Sequence, residues 1–101
     1  MIDTFRAALA ATPTLEATFR EGDSELNAQV IATFPNGYGA SIVRGPYTYG
    51  GNEGLFELAV LDRHGHLTYD TPVTSDVEGW LTPTQVIALL YQIQALPSTD
   101  S

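Results

Sequence analysis

His64 and His66 flank a single glycine, with Asp62 just ahead of them. Imidazole and carboxylate are metal ligands, and an i, i+2 pair of histidines is one way to present two of them. A firmly held metal needs several ligands on a fixed frame, and no H-E-x-x-H or comparable spacing is present. The pair is therefore expected at an exposed hairpin tip, with no metal bound. Asp70, Asp76 and Glu78 gather carboxylates around a turn. Such groups serve acid–base chemistry or hold calcium. Residues 76–79 read Asp-Val-Glu-Gly, without the alternating ligands of a calcium loop. Asp76 is instead expected to cap a helical turn over 74–79, and Asp70 to make an Asx turn ahead of Pro72. Gly37-Tyr38-Gly39 opens like a G-x-G-x-x-G loop, but Ile42 stands where the third glycine belongs, and no lysine exists for a phosphate loop. Ser41 lacks the second glycine of a nucleophile elbow. No catalytic constellation emerges, no cofactor is expected, and the chain is read as a non-enzyme.

The more suggestive residues are aromatic. Residues 45–54 read GPYTYGGNEG, with Tyr47 and Tyr49 alternating in a glycine-rich connection that ends near Glu53. Tyrosines in such a loop offer rigid amphipathic rings at low entropic cost. One of them folding back over the sheet edge is the competing reading. Trp80 and Tyr91 are assigned to the core or its rim.

Composition limits the partners. The 101 residues carry twelve carboxylates against four cations, a net charge of −8, with no cysteine. All four cations are arginines: Arg6, Arg20, Arg44 and Arg63. Disulfides and thiolate chemistry are excluded. Phosphate neutralisation is disfavoured, so neither nucleic acid nor an anionic membrane is a natural partner. If the charge has a target, the target is basic: a protein surface that normally holds nucleic acid, or a cation. Net charge also keeps a small protein dispersed, which is the plainer use of it. No apolar run approaches the roughly 18–20 residues that span a bilayer. The N-terminus lacks the pattern of a secretion signal, which makes the cytoplasm the expected location.

The elements that must position these residues follow from periodicity. Residues 55–61, LFELAVL, are too few for a typical helix and suit a central strand. Phe56, Leu58 and Val60 form one wholly apolar face. Residues 27–34 alternate as a strand, Pro35-Asn36-Gly37 supplies turn chemistry, and 39–44 returns as its hairpin partner. Residues 66–70 read as a fourth strand. Leu15, Ala17 and Phe19 alternate with polar residues, consistent with a strand or a second helical turn. Residues 2–11 have helical spacing that Pro13 ends. Thr82-Pro83-Thr84-Gln85 matches a capping box, with Leu81 and Val86 as its hydrophobic staple. Val86, Leu89, Leu90, Ile93 and Leu96 then make one apolar stripe. The expected fold is a single α+β domain over 1–101. A four-stranded antiparallel sheet (27–34, 39–44, 55–61, 66–70) carries the C-terminal helix 82–96 on one face, and a short N-terminal helix covers an edge or end.

The central block adds a resemblance. Asn36-Gly37-Tyr38-Gly39-Ala40-Ser41, Tyr49-Gly50-Gly51, 53–61 (EGLFELAVL), 69–74 (YDTPVT), Asp76-Val77 and Gly79-Trp80-Leu81-Thr82 resemble a family of small uncharacterised bacteriophage and prophage proteins. The likeness covers about Phe34 to Leu96. It implies a bacterial host cytoplasm and no particular activity. By analogy with small acidic phage accessory proteins, anti-CRISPR proteins among them, the expectation is stoichiometric binding to a host protein with a basic surface, such as a CRISPR effector. Tyr47, Tyr49, Glu53, Asp70, Asp76 and Glu78 are the expected contacts. The alternative is a non-enzymatic phage structural or housekeeping component that oligomerises through its sheet edge.

Overall fold

The computed structural model describes residues 15–22, 28–44, 55–68, 71–73 and 78–98. Five strands form one antiparallel sheet in sequence order: β1 (Thr18–Glu21), β2 (Ala28–Thr33), β3 (Gly39–Arg44), β4 (Phe56–Leu61) and β5 (Glu78–Leu81). One helix follows, α1 (Pro83–Gln94). The α+β class and the C-terminal helix match the expectation, but the sheet has five strands rather than four. The expected helix over 2–11 lies outside the described residues.

Register assigns the faces. Val30 opposes Ile42, which opposes Leu58, and Ala32 opposes Ala40, which opposes Val60. Directly opposed residues share a face, so these six line one side of the sheet. Ala32, Ala40, Ile42, Leu58 and Val60 pack there in one cluster with Phe56 and with Val86, Leu90 and Ile93 of α1. Leu58, Leu90 and Ile93 are fully buried. Each such side chain contributes roughly 1.5–3 kcal/mol on leaving water. Phe56, Leu58 and Val60 therefore face the helix as their alternation predicts, although β3 is the middle strand and β4 its neighbour.

The helix begins as its sequence dictates. Gln85 N–H donates to Thr82 Oγ1 at 3.2 Å, and Thr82 N–H donates to Gln85 Oε1 at 2.8 Å. Pro83 occupies the first turn, where its missing N–H costs nothing. Tyr91 packs against the core from a half-buried position, as its rim assignment expected.

Two strand assignments need correction. Of the fourth strand expected over 66–70, the described part makes only an isolated bridge, Leu67 to Leu61, plus Thr68 N–H to the Val60 carbonyl at 2.9 Å. The helical turn expected over 74–79 is not what Glu78 adopts: Glu78 opens β5, against Leu58 of β4. The bridge and β5 lie on the same side of β4, in antiparallel order. The ladder that completes β4 is thus carried in two pieces. Backbone N–H and C=O groups along a buried strand demand partners, and that demand outweighs a weak local preference for a turn. The strand alternative for residues 15–20 is realised from Thr18 onward.

Two hairpin turns are built alike. Phe34 N–H bonds the Tyr38 carbonyl at 2.9 Å, Gly37 N–H bonds the Phe34 carbonyl at 3.1 Å, and Gly37 has φ 94°. Asp62 N–H bonds the His66 carbonyl at 2.7 Å, Gly65 N–H bonds the Asp62 carbonyl at 3.0 Å, and Gly65 has φ 79°. Each is a three-residue loop whose last residue is left-handed, a position that glycine takes without steric cost.

Candidate functional site

Of the six residues expected to make contacts, Glu78 lies among the described residues. Tyr47, Tyr49, Glu53, Asp70 and Asp76 lie outside them. Glu78 is exposed at the start of β5, an edge strand. With Leu81 of the same strand and Gln85, Ala88, Leu89 and Gln92 of α1, it borders an open groove of about 340 Å³. Two leucines and an alanine line it together with two glutamines and one carboxylate.

Sequence reasoning placed Trp80 in the core or its rim; the structure places it outside. Trp80 is 58% exposed and has φ 60°. Among the described residues it is the one non-glycine residue with positive φ. Pairing explains the geometry. Phe56 opposes Leu81 and Leu58 opposes Glu78, so one residue intervenes on β4 where two, Gly79 and Trp80, intervene on β5. This β-bulge interrupts the pleat, and the extra residue is absorbed by a left-handed backbone. For a bulky side chain that conformation is a strained outlier, costing about 1–2 kcal/mol. The glycine directly before an aromatic residue, at the end of a short strand, is the signal in the sequence that marks the bulge.

The strain has a measurable consequence. Trp80→Gly is expected to be more stable than Trp80→Ala by about 1 kcal/mol, the reverse of the usual order in a strand, because glycine tolerates positive φ. Urea unfolding of both variants measures the difference. An alanine variant equal to or above the glycine variant would contradict the left-handed backbone.

The histidine pair sits where it was expected, on the turn after β4, with both residues exposed and their ring centroids 6.3 Å apart. Asp62 braces that turn: its Oδ1 accepts the His64 N–H at 2.9 Å and the His66 N–H at 3.0 Å. The His66 amide holds the Asp62 carboxyl below its ordinary value; desolvation opposes it, and the His64 amide and the nearby imidazoles add to the lowering. A depressed carboxylate contributes stability that is present above its unfolded value, near 3.9, and is lost as pH falls through its folded value. The amide resonances of His64 and His66 are therefore expected to titrate together, with a midpoint below that of an ordinary aspartate, and Asp62→Ala is expected to abolish that titration. A midpoint at or above the ordinary value would refute the bracing. Among the described residues, no group of three or more His, Asp and Glu side chains is arranged to hold a metal.

Ser41 Oγ accepts from Gln29 Nε2 at 2.9 Å on the sheet face away from the helix, an ordinary cross-strand pair. Arg44 stacks over the Phe56 ring, 5.5 Å from its centroid, closing one end of the core.

In sequence, Asp76 lies two residues and Asp70 eight residues before the start of β5.

Fold and site together define a small α+β meander domain with an exposed aromatic residue and a groove at one sheet edge. No family model matches the chain, and neither a curated protein nor a solved structure matches it. No helix among the described residues is long and apolar enough to cross a membrane.

Proposed function

We propose that this chain is a small acidic accessory protein of phage or mobile-element type. It acts without catalysis, by stoichiometric binding through the β5 edge to a basic, nucleic-acid-binding surface of a host protein in the bacterial cytoplasm. An inhibitor of the anti-CRISPR kind is the specific form of this reading. The observation that carries it is Trp80. A strained, largely exposed tryptophan on an edge strand is costly for the free protein, and such outliers concentrate where a partner uses them. Tryptophan is also the residue most enriched among binding hot spots. Glu78 comes two residues before it in the chain and Asp76 four, so an aromatic anchor is accompanied in sequence by negative charge. That combination fits a basic partner, with charge accelerating encounter and the ring supplying the buried contact.

The test begins with capture of partners from a bacterial lysate at low salt, followed by competition with nucleic acid for the captured protein. The expected partner is a basic nucleic-acid-binding protein that nucleic acid displaces and whose association slows as salt is added. Trp80→Ala is expected to weaken that complex by about 2 kcal/mol, roughly thirtyfold. Glu78→Lys is expected chiefly to slow association. Recovery of no basic partner, or a complex indifferent to both substitutions, argues against the reading. A stable dimer that buries Trp80, seen by light scattering, would favour the oligomerising component instead.

A further inference from the structure

The chain has three asparagines, and the residue after each governs how easily its side chain is attacked by the backbone. Ala28 follows Asn27 and Glu53 follows Asn52, whereas Gly37 follows Asn36. Without a Cβ, Gly37 leaves its backbone nitrogen open to the neighbouring side-chain amide. In the folded protein that amide is held at both ends. Asn36 Nδ2 donates to the carbonyls of Ile93, Gln94 and Leu96 at the end of α1. Asn36 Oδ1 accepts the Tyr38 N–H at 3.0 Å. The Gly37 N–H itself donates to the Phe34 carbonyl at 3.1 Å. The three contacts of Nδ2 reach residues 57, 58 and 60 positions away, so they last only while the end of α1 is docked on the turn.

We propose that Asn36 is a site of spontaneous deamidation, closed while the end of α1 is docked and opened when that end lifts. The Gly37 backbone nitrogen gives its proton to water and attacks Cγ of Asn36. The Cγ–Nδ2 bond breaks, Nδ2 takes up a proton and leaves as ammonia, and a succinimide ring remains. Water then opens the ring at either carbonyl, to aspartate or to isoaspartate. One water is consumed and one ammonia released, with no oxidant or cofactor. The docked state opposes these steps, because three carbonyls hold the leaving nitrogen and the Phe34 carbonyl holds the Gly37 proton. The rate therefore follows local opening of the helix end and not only global unfolding. The product cannot restore the closed state. A carboxylate has no N–H to offer, and it stands against carbonyl oxygens at the negative end of the helix dipole. Each event leaves one more molecule with a loosened helix, an irreversible record of time spent open. The site lies at the β2–β3 turn and does not depend on the partner-binding reading of β5.

The experiment ages the full chain under native conditions and in urea, and follows the acid formed at each asparagine by peptide mapping and mass spectrometry. In urea, Asn36 is expected to convert fastest of the three. In the folded chain it is expected to convert at least about tenfold more slowly than in urea. Two variants loosen the helix end without touching the turn. Leu96→Ala trims a partly buried contact with the core, and Gln94→Ala removes the Oε1 acceptor of the Glu16 N–H. Each is expected to speed the folded-state conversion about threefold or more, with the rate in urea unchanged. The deamidated fraction, isolated by its added negative charge, is expected to unfold at a lower temperature than the unaged chain. Asn36→Gln, whose longer side chain cannot close the same ring, is expected to stay an amide over the same period. Conversion in the folded chain as fast as in urea would overturn the proposal. So would two variants that convert no faster than the parent, a deamidated fraction as stable as the unaged chain, or slower conversion at Asn36 than at Asn27 or Asn52 in urea.

Discussion

Replacing Asn36 is expected to loosen the helix from the sheet, with Asn36→Asp more damaging than Asn36→Ala. The side chain bridges the β2–β3 turn and the C-terminal end of α1. Its Nδ2 donates to the Ile93 carbonyl at 2.8 Å, the Leu96 carbonyl at 3.1 Å and the Gln94 carbonyl at 3.3 Å. Its Oδ1 accepts the Tyr38 N–H at 3.0 Å. The last carbonyls of a helix have no partner within the helix, so a donor delivered from the sheet satisfies them. A second tie lies nearby, where Glu16 N–H donates to Gln94 Oε1 at 2.7 Å. Asn36→Ala removes the donor and the acceptor together from a partly buried place, at a cost of about 2 kcal/mol. Asn36→Asp keeps the acceptor for Tyr38 but sets a negative charge against carbonyl oxygens at the negative end of the helix dipole, for a cost of about 3 kcal/mol. For a domain of this size each kcal/mol lowers the thermal midpoint by roughly 4–8 °C. The introduced carboxylate prefers to be neutral in the folded state, so the excess damage over alanine should shrink as pH falls toward 4, close to the ordinary aspartate value. Thermal unfolding of both variants at two pH values measures it. An Asn36→Asp protein as stable as the parent at neutral pH would show that the bridge does not hold the helix.

The second large effect is expected at Gly39. A Cβ there would lie 2.7 Å from the backbone oxygen of Ala32 and 3.6 Å from the Leu61 Cβ. The first contact is with backbone in the middle of the sheet, which has nowhere to retreat. At an unhindered strand position, glycine to alanine is stabilising, because glycine loses more freedom on folding. Here Gly39→Ala is expected to destabilise by about 2 kcal/mol, with valine worse, as for other overpacked sites. Chemical denaturation reads this directly, and a stabilised alanine variant would disprove the close approach.

Much of this architecture was legible in local patterns. Thr82, Pro83 and Gln85 satisfy the helix start among themselves, and the stripe from Val86 to Ile93 identifies its buried face without reference to the rest of the chain. The Pro35-Asn36-Gly37 turn and the flanking alternation give the β2–β3 hairpin, because register across a three-residue turn is a short-range matter. The apolar alternation of Phe56, Leu58 and Val60 identifies the covered face of β4. The lysine-free acidic composition is likewise a property of the chain alone.

Other features depended on distant residues. Four residues from Glu78 to Leu81 have no periodicity strong enough to declare a strand; they become one because the open side of β4 must be hydrogen-bonded. Trp80 is apolar, and apolarity alone argues for burial; the bulge against Phe56 and Leu58 turns it outward. Asn36 carries an ordinary turn signal, while its second role exists only because α1 ends beside that turn. Arg20 and Arg63 lie far apart in the chain, and only the stacking of β1 through β4 brings them to one cleft. Local chemistry determined where the chain turns, where its helix begins and which strand faces are apolar, since those depend on near neighbours. Tertiary structure decided which edges are completed, which aromatic residue stays exposed and which charges meet, since those depend on residues that come together only when the sheet closes.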